Sequence, residues 1–252
     1  MEKGKYSFKV RSYECGPDGR ATLPTICNLL QEAASLHADS LGFGKGDFAA
    51  AGENISWVLT RMVVKMSRYP VWEDELTVET FPRGGRKIVA WRDFEVKDEK
   101  GETLGVASSE WMIIDLATRK IHAIPERVFA ANDPKNVPVL GLEPFAKFRF
   151  PESGGQSSQA DRSPLPHYTA MKSQIDLNGH VNNVHYVNWM LEPCESRCPA
   201  EMEIVFRSET LAGDEVRVEV AEADGWIYHR VFAPDGRDHV VARTGKCGIM
   251  TA

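Results

Sequence analysis

The run Asp176-Leu177-Asn178-Gly179-His180-Val181-Asn182-Asn183 puts a carboxylate, an amide and an imidazole within five residues. The stretch that follows, Val184 to Glu192, carries Val184, Val187 and Leu191 at the spacing of an amphipathic helix. Asp176, Asn178 and His180 alternate, so in an extended segment their side chains share one face. A helix start beside them adds backbone N–H donors and the positive end of a dipole. A base, a proton carrier and an anion site are what cleavage of an acyl bond by water requires. The same residue types also serve loops and caps, and Asn182 or Asn183 is a candidate helix N-cap.

The elements that position this motif read as one unit written twice. A helix beginning near Pro24 has Ile26, Leu29, Leu30, Ala33 and Ala34 on one stripe, and the Val184 helix is its counterpart. Strand-like stretches follow each helix: Arg61–Met66 continued by Asp74–Glu79, and Glu201–Phe206 continued by Asp214–Glu219. Turns are expected at Asp98–Glu102 and Pro234–Arg237, each followed by another strand, Thr103–Ile114 and Asp238–Ile249. A helix stripe this apolar needs a sheet around it. Alternation in Trp91–Val96 predicts one wet sheet face. The polar run Pro151–Gln159 reads as a flexible linker between the copies. Aligning Asn28-Leu29-Leu30-Gln31-Glu32 with Asn188-Trp189-Met190-Leu191-Glu192 sets Gly16, Asp18 and Arg20 opposite Asp176, Asn178 and His180. The first copy therefore lacks the constellation, which a purely structural loop would be expected to keep.

Composition narrows the function classes. The 252 residues are 42% hydrophobic and 26% charged, a globular balance. No stretch of about 18 apolar residues predicts a membrane span. A formal charge of −6 argues against nucleic acid as a partner. Five scattered cysteines, with no apolar or Ser/Arg-rich leader after Met1, predict a cytoplasmic protein with free thiols. Cys194 and Cys198 have no second ligand pair at zinc spacing, and His180 and His185 are not on one helical face, so no metal site and no cofactor are expected.

Ile55-Ser56-Trp57-Val58-Leu59-Thr60-Arg61-Met62, Tyr69-Pro70-Val71-Trp72-Glu73-Asp74, Trp91-Arg92-Asp93-Phe94, Glu110-Trp111-Met112-Ile113-Ile114-Asp115, Ile124-Pro125-Glu126 and the Asp176–Glu192 stretch occur in this order. Together they resemble the fatty acyl-carrier-protein thioesterases of plants and bacteria, from about Tyr6 to Ile249. The resemblance implies an α+β tandem double hotdog, two long helices each wrapped by an antiparallel sheet. It divides the chain into residues 1–148, a linker 149–165 and a second unit 166–252. It implies hydrolysis of fatty acyl thioesters carried on the phosphopantetheine arm of acyl carrier protein. Asp176, Asn178 and His180 fall on the family's catalytic positions, and Glu209 on a family glutamate of the following strand. Some relatives carry cysteine where this chain has Thr210, which argues against a cysteine nucleophile here. Tyr69 is the first-copy counterpart of Glu209. Without a plastid-targeting extension the chain resembles a bacterial, cytoplasmic member, a monomer or homodimer.

Expected substrate contacts are Trp57, Arg61 and Trp91 in the first unit and Asn182 and Asn183 beside the motif. Trp72 and Trp111 are further candidates for an acyl pocket, with core packing as the default role of any tryptophan. The run Arg83-Gly84-Gly85-Arg86-Lys87 reads as a solvated loop, or as a local basic contact for an acidic carrier protein. Two schemes fit the motif: Asp176 or Glu209 activates water, or Asp176 attacks the carbonyl directly. Three rivals remain: an acyl-CoA thioesterase, a hydratase or dehydratase of the same fold, and a non-catalytic acyl-binding module.

Overall fold

The structure, a computed structural model, describes residues 3–133, 135–140, 149–151 and 166–245. Most of the expected linker 149–165, the end of the strand toward Ile249, and Cys247 lie outside the described residues. The chain divides into two compact units, Met1–Ala21 with Thr25–Leu142 and Thr22–Pro24 with Glu143–Ala252.

In the first unit, β1 (Gly4–Lys9), β2 (Ile55–Met66), β3 (Glu75–Arg86), β4 (Val89–Asp98) and β5 (Thr103–Asp115) form an antiparallel sheet in the order β1-β3-β4-β5-β2. The short β6 (Ile121–His122) pairs with β5. Helix α1 (Leu23–Ser40) begins one residue before the expected Pro24, and short α2 (Lys45–Ala50) and α3 (Glu126–Ala130) flank the sheet. Ile26, Leu30 and Ala33 are fully buried, as the stripe requires. Each large member contributes roughly 1.5–3 kcal/mol by leaving water. His37 of α1 meets Arg92 of β4 at 2.9 Å, so the helix lies against the sheet. The turn at Asp98–Glu102 forms as expected, closed by Asp98 N–H to Glu102 C=O at 3.0 Å.

The second unit runs β7 (His167–Thr169), α4 (Asn183–Leu191), β8 (Glu201–Phe206), β9 (Glu215–Ala223), β10 (Trp226–Phe232) and β11 (Asp238–Gly245). Its antiparallel order is β8-β11-β10-β9-β7. Helix α4 packs on β9 and β10. It buries Val184, Val187, Met190 and Leu191. Fully buried His229 of β10 bonds the Met190 carbonyl at 3.0 Å and Thr244 Oγ1 at 2.9 Å, tying the helix end to the sheet.

Three expectations are corrected. Helix α4 has nine residues against eighteen in α1. Pro193 stops it, since proline has no N–H and crowds the preceding turn. The paired strand stretches do not continue one another: β2 and β3, like β8 and β9, are separate strands joined by loops 67–74 and 207–214. Asp74 and Asp214 close these loops by accepting the N–H groups of Val71 at 2.9 Å and Leu211 at 2.8 Å. The wet face of β4 is not fully wet: Asp93 has no exposure. It is covered because its carboxylate accepts Ser108 Oγ–H at 2.6 Å, Arg83 Nε–H at 3.1 Å and the Val139 N–H at 3.0 Å.

Candidate active site

Two loops of the second unit carry the four candidate catalytic residues. The first is closed by a bridge between Ile175 and Val181. Inside it, Asp176 N–H donates to the His180 carbonyl at 2.8 Å and Gly179 N–H to the Asp176 carbonyl at 3.0 Å. Gly179 has φ +84, a conformation that any residue with a Cβ adopts only under strain. Asp176 Oδ1 accepts the N–H groups of Asn178 at 2.7 Å and His180 at 3.4 Å. The expected extended segment with three co-facing side chains is therefore a tight turn. Its glycine reverses the chain, and the Asp176 carboxylate braces its own loop.

The second loop follows β8. The expectation that Glu209 ends a strand is corrected: β8 stops at Phe206, and Glu209 stands in the loop. Gly213, at φ +94, donates to the Ala170 carbonyl at 2.8 Å and anchors the far side. Val181 N–H donates to the Thr210 carbonyl at 3.0 Å, which joins the two loops. His180 Nε2 then lies 3.0 Å from Glu209 Oε2, with the two side chains 18% and 44% exposed. The imidazole is sheltered and the carboxylate reaches it from the water side.

Beneath this pair, fully buried Thr210 lies beside the Tyr186 hydroxyl of α4. Burial pushes the Tyr186 phenol up to about 12, so it stays protonated. Behind it, His239 Nδ1 meets Ser208 Oγ at 3.0 Å, and its carbonyl accepts the Arg207 N–H at 2.8 Å. Burial lowers the pKa of His239 and favours the neutral ring. Sequence reading gave no role to Tyr186, which lies within the Asp176–Glu192 stretch, or to Ser208 and His239. The only signal was a histidine in each of two strands beside apolar pairs, His229 near Val231-Phe232 and His239 beside Val240-Val241.

Asn182 is the N-cap of α4: its Oδ1 accepts the Val184 N–H at 3.0 Å. Its carbonyl accepts the His185 N–H at 2.9 Å. Two backbone donors at the helix start are thus already engaged. Asn183 is the first helical residue. His185 is half-buried, and burial lowers its pKa. Among the described residues no group of three or more His, Cys, Asp or Glu has metal-binding geometry. Cys15, Cys27, Cys194 and Cys198 stand outside any disulfide.

The first unit repeats the backbone of this site without its chemistry. Gly16 N–H donates to Arg20 C=O at 2.8 Å, Gly19 N–H to Gly16 C=O at 3.0 Å, and Ala21 N–H to Pro70 C=O at 2.8 Å. The positions of Asp176, Asn178, His180 and Glu209 are held there by Gly16, Asp18, Arg20 and Tyr69, as the sequence alignment of the two copies requires.

The first unit also holds an open apolar pocket between α1 and the sheet. Trp57, Trp91 and Trp111 line it, together with Arg92 and small residues of α1. Arg61 does not line it. This arginine is 7% exposed and faces Glu110, with Nη1 3.5 Å from Oε1. Trp72 is also outside it, at 57% exposure. The basic run is a β-hairpin, not a loose loop. Arg83 is bonded to Asp93, and the guanidinium carbons of Arg83 and Arg86 sit 5.3 and 5.9 Å from the centre of the Trp91 ring.

Comparison with known proteins bears on both units. The acyl-ACP thioesterase N-terminal domain matches residues 2–131 and the acyl-ACP thioesterase C-terminal domain matches residues 157–244. An oleoyl-acyl carrier protein thioesterase of Arabidopsis thaliana is 33% identical over 207 residues, 76% of this chain and 55% of the relative. The chain thus spans about half the length of the plant relatives it matches. An acyl-ACP thioesterase from Bacteroides thetaiotaomicron superposes with a TM-score of 0.77 at 25% identity, over 96% of both chains. The 12:0-ACP thioesterase from Umbellularia californica gives the same TM-score of 0.77 at 26% identity, over 96% of this chain and 95% of that one. Among the described residues no helix is long and apolar enough to cross a membrane. With two units that each set a helix against an antiparallel sheet and both family domains matched in order, the chain belongs to the acyl-ACP thioesterase family.

Proposed function

We propose that the chain hydrolyses fatty acyl thioesters of acyl carrier protein to a free fatty acid and the carrier thiol. The observation that carries this reading is the His180–Glu209 contact of 3.0 Å, present in the second unit and absent from its backbone twin, where Arg20 and Tyr69 stand. Glu209 orients His180 and stabilises its imidazolium. His180 takes a proton from water as the water oxygen attacks the thioester carbonyl carbon, then delivers that proton to the departing thiolate sulfur. The Asn178 amide donates to the developing oxyanion, a role whose loss typically costs roughly 3–4 kcal/mol of barrier.

Asp176 braces the turn that carries Asn178 and His180. Its carboxylate is turned back onto two backbone N–H groups of its own loop, which favours activation of water over direct attack. The test is thiol release from acyl carrier protein and from coenzyme A carrying the same chain. Faster release from the carrier protein is the expected result. Hydrolysis only of the coenzyme A ester would reassign the donor, and bound fatty acid without turnover would make this an acyl-binding protein.

A further inference from the structure

The two copies share one backbone clamp and differ in the side chain that fills it. In the first unit the Leu104 carbonyl accepts the N–H groups of Ser67 at 2.8 Å and Arg68 at 3.3 Å. In the second the His239 carbonyl accepts those of Arg207 at 2.8 Å and Ser208 at 3.4 Å. The next residue is Tyr69 in one copy and Glu209 in the other, and the residue after it bonds back to the turn, Pro70 to Ala21 and Thr210 to Val181. Leu104 and His239 are therefore counterparts, 2% and 1% exposed. The fold needs only an apolar side chain at that place, and the first copy has one.

A buried histidine there is costly, because Nε2 has no hydrogen-bond partner among the described residues. Nδ1 does have one. It lies 3.0 Å from Ser208 Oγ and 3.4 Å from the Ser208 carbonyl. The Ser208 hydroxyl donates to the Asp238 carbonyl at 2.9 Å, so its oxygen is left to accept. Nδ1 then carries the proton and donates to Ser208. Burial keeps the ring neutral, although the Ser208 and Glu209 carbonyls favour its charged form. The first copy cannot make this contact, since Leu104 and Arg68 hold the two positions.

Glu209 needs such a hold. Its side chain is 44% exposed, so packing does not fix it, and its contact with His180 depends on where the backbone around it stands. Thr210 is held on one side by Val181, and Ser208 on the other by His239.

Resting on the reading that Glu209 serves His180 in thioester hydrolysis, we propose that His239 is a positioning residue. Through Ser208 it holds Glu209 where the carboxylate meets the His180 ring.

The test is a cycle of native enzyme, His239→Leu, Glu209→Gln and the double variant, with kcat, KM and melting temperature for each. His239→Leu copies the first unit and is expected to fold. Its kcat should be lower by at least about fivefold at native KM, with no further loss when it is added to Glu209→Gln. A merely structural role would lower kcat by the same factor in both backgrounds. His239→Asn, whose amide N–H can stand near the place of Nδ1–H, should restore most of the kcat. Native kcat in His239→Leu overturns the proposal, and so does the same factor of loss in both backgrounds. Where His239→Leu fails to fold, Ser208→Ala removes the same contact and is read in the same way. Failure of the underlying reading looks different, namely no hydrolysis by the native enzyme or native kcat in Glu209→Gln. The inference is then read from the ring-nitrogen NMR signals of His180. A shift in His239→Leu in the direction seen in Glu209→Gln supports it, and a native or oppositely shifted signal overturns it.

Discussion

Val181 and Thr210 are joined by one backbone hydrogen bond of 3.0 Å, and each is the chain neighbour of a candidate catalytic residue. That bond fixes the distance between the turn bearing His180 and the loop bearing Glu209. The side-chain contact of 3.0 Å follows from it. The first unit has the same bond, Ala21 to Pro70, at 2.8 Å. The scaffold therefore comes with the fold, and the chemistry comes from four side chains placed on one copy of it.

Glu209→Gln keeps the shape and removes the charge that would stabilise an imidazolium. The expected result is a kcat at least about tenfold lower, roughly 1.4 kcal/mol of barrier. Because the side chain is 44% exposed, thermal unfolding should barely move. A variant with native kcat would remove Glu209 from the mechanism.

Asn178 and Asp176 separate binding of the oxyanion from bracing of the turn. Asn178→Ala should lower kcat by two orders of magnitude or more while the melting temperature holds. Asp176→Ala removes the acceptor of two backbone N–H groups and should lower both activity and stability, the latter by about 1 kcal/mol. Calorimetry beside steady-state kinetics distinguishes them. Loss of activity without loss of stability in Asp176→Ala would favour Asp176 as a direct reactant.

Much of this was legible in the sequence. The helix stripe Ile26–Leu30–Ala33 and the turns with glycine or aspartate at fixed places announced the repeated unit. The alignment of Arg20 with His180 and Tyr69 with Glu209 matches the hydrogen bonds of both copies. What failed was local shape. Alternation at Asp176, Asn178 and His180 suggested an extended strand, but a glycine in the left-handed region and an aspartate bonded to its own backbone made a turn. Contacts between residues distant in sequence were not legible at all. Arg92 with His37, and His239 with Ser208, are set by strand register and helix placement, which no short motif encodes.

His37 and His229 give a pH dependence of stability. Both are held neutral, with pKa values lowered to about 4, by burial. An unfolded histidine has a pKa near 6.5, so between those values the unfolded chain binds more protons. Stability therefore rises with pH through that window and is lost as pH falls from about 6.5 toward 4, by on the order of 3 kcal/mol per histidine. Denaturant midpoints measured from pH 7.5 to 4.5 should fall steadily. In His229→Gln the slope should be shallower, and an unchanged slope would reject the assignment.

Cys27 is fully buried, which pushes its thiol up to about 12. It should resist alkylation near neutral pH until the protein unfolds. Cys15, Cys194 and Cys198 are partly exposed and should label, with activity retained, because Thr210 occupies the loop position beside Glu209. Mass mapping of iodoacetamide adducts against residual activity checks this. Protection of one labelled cysteine by a substrate analogue, in step with lost activity, would restore a thiol to the mechanism.

Asn182 decides between a cap and a substrate contact. Its Oδ1 holds the Val184 N–H at 3.0 Å, and an N-cap replaced by alanine costs typically about 1 kcal/mol. Aspartate and serine cap as well as asparagine, so Asn182→Asp and Asn182→Ser should keep the native melting temperature, whereas Asn182→Ala should lower it. If the side chain only caps, KM for acyl carrier protein substrates stays native in the aspartate and serine variants. If its amide N–H also touches the substrate, both variants raise KM at native stability, since neither carboxylate nor hydroxyl reproduces the amide donor at that reach. With Oδ1 already committed to the helix, the expected outcome is the first: unchanged KM in the two capping variants and a loss confined to stability in Asn182→Ala.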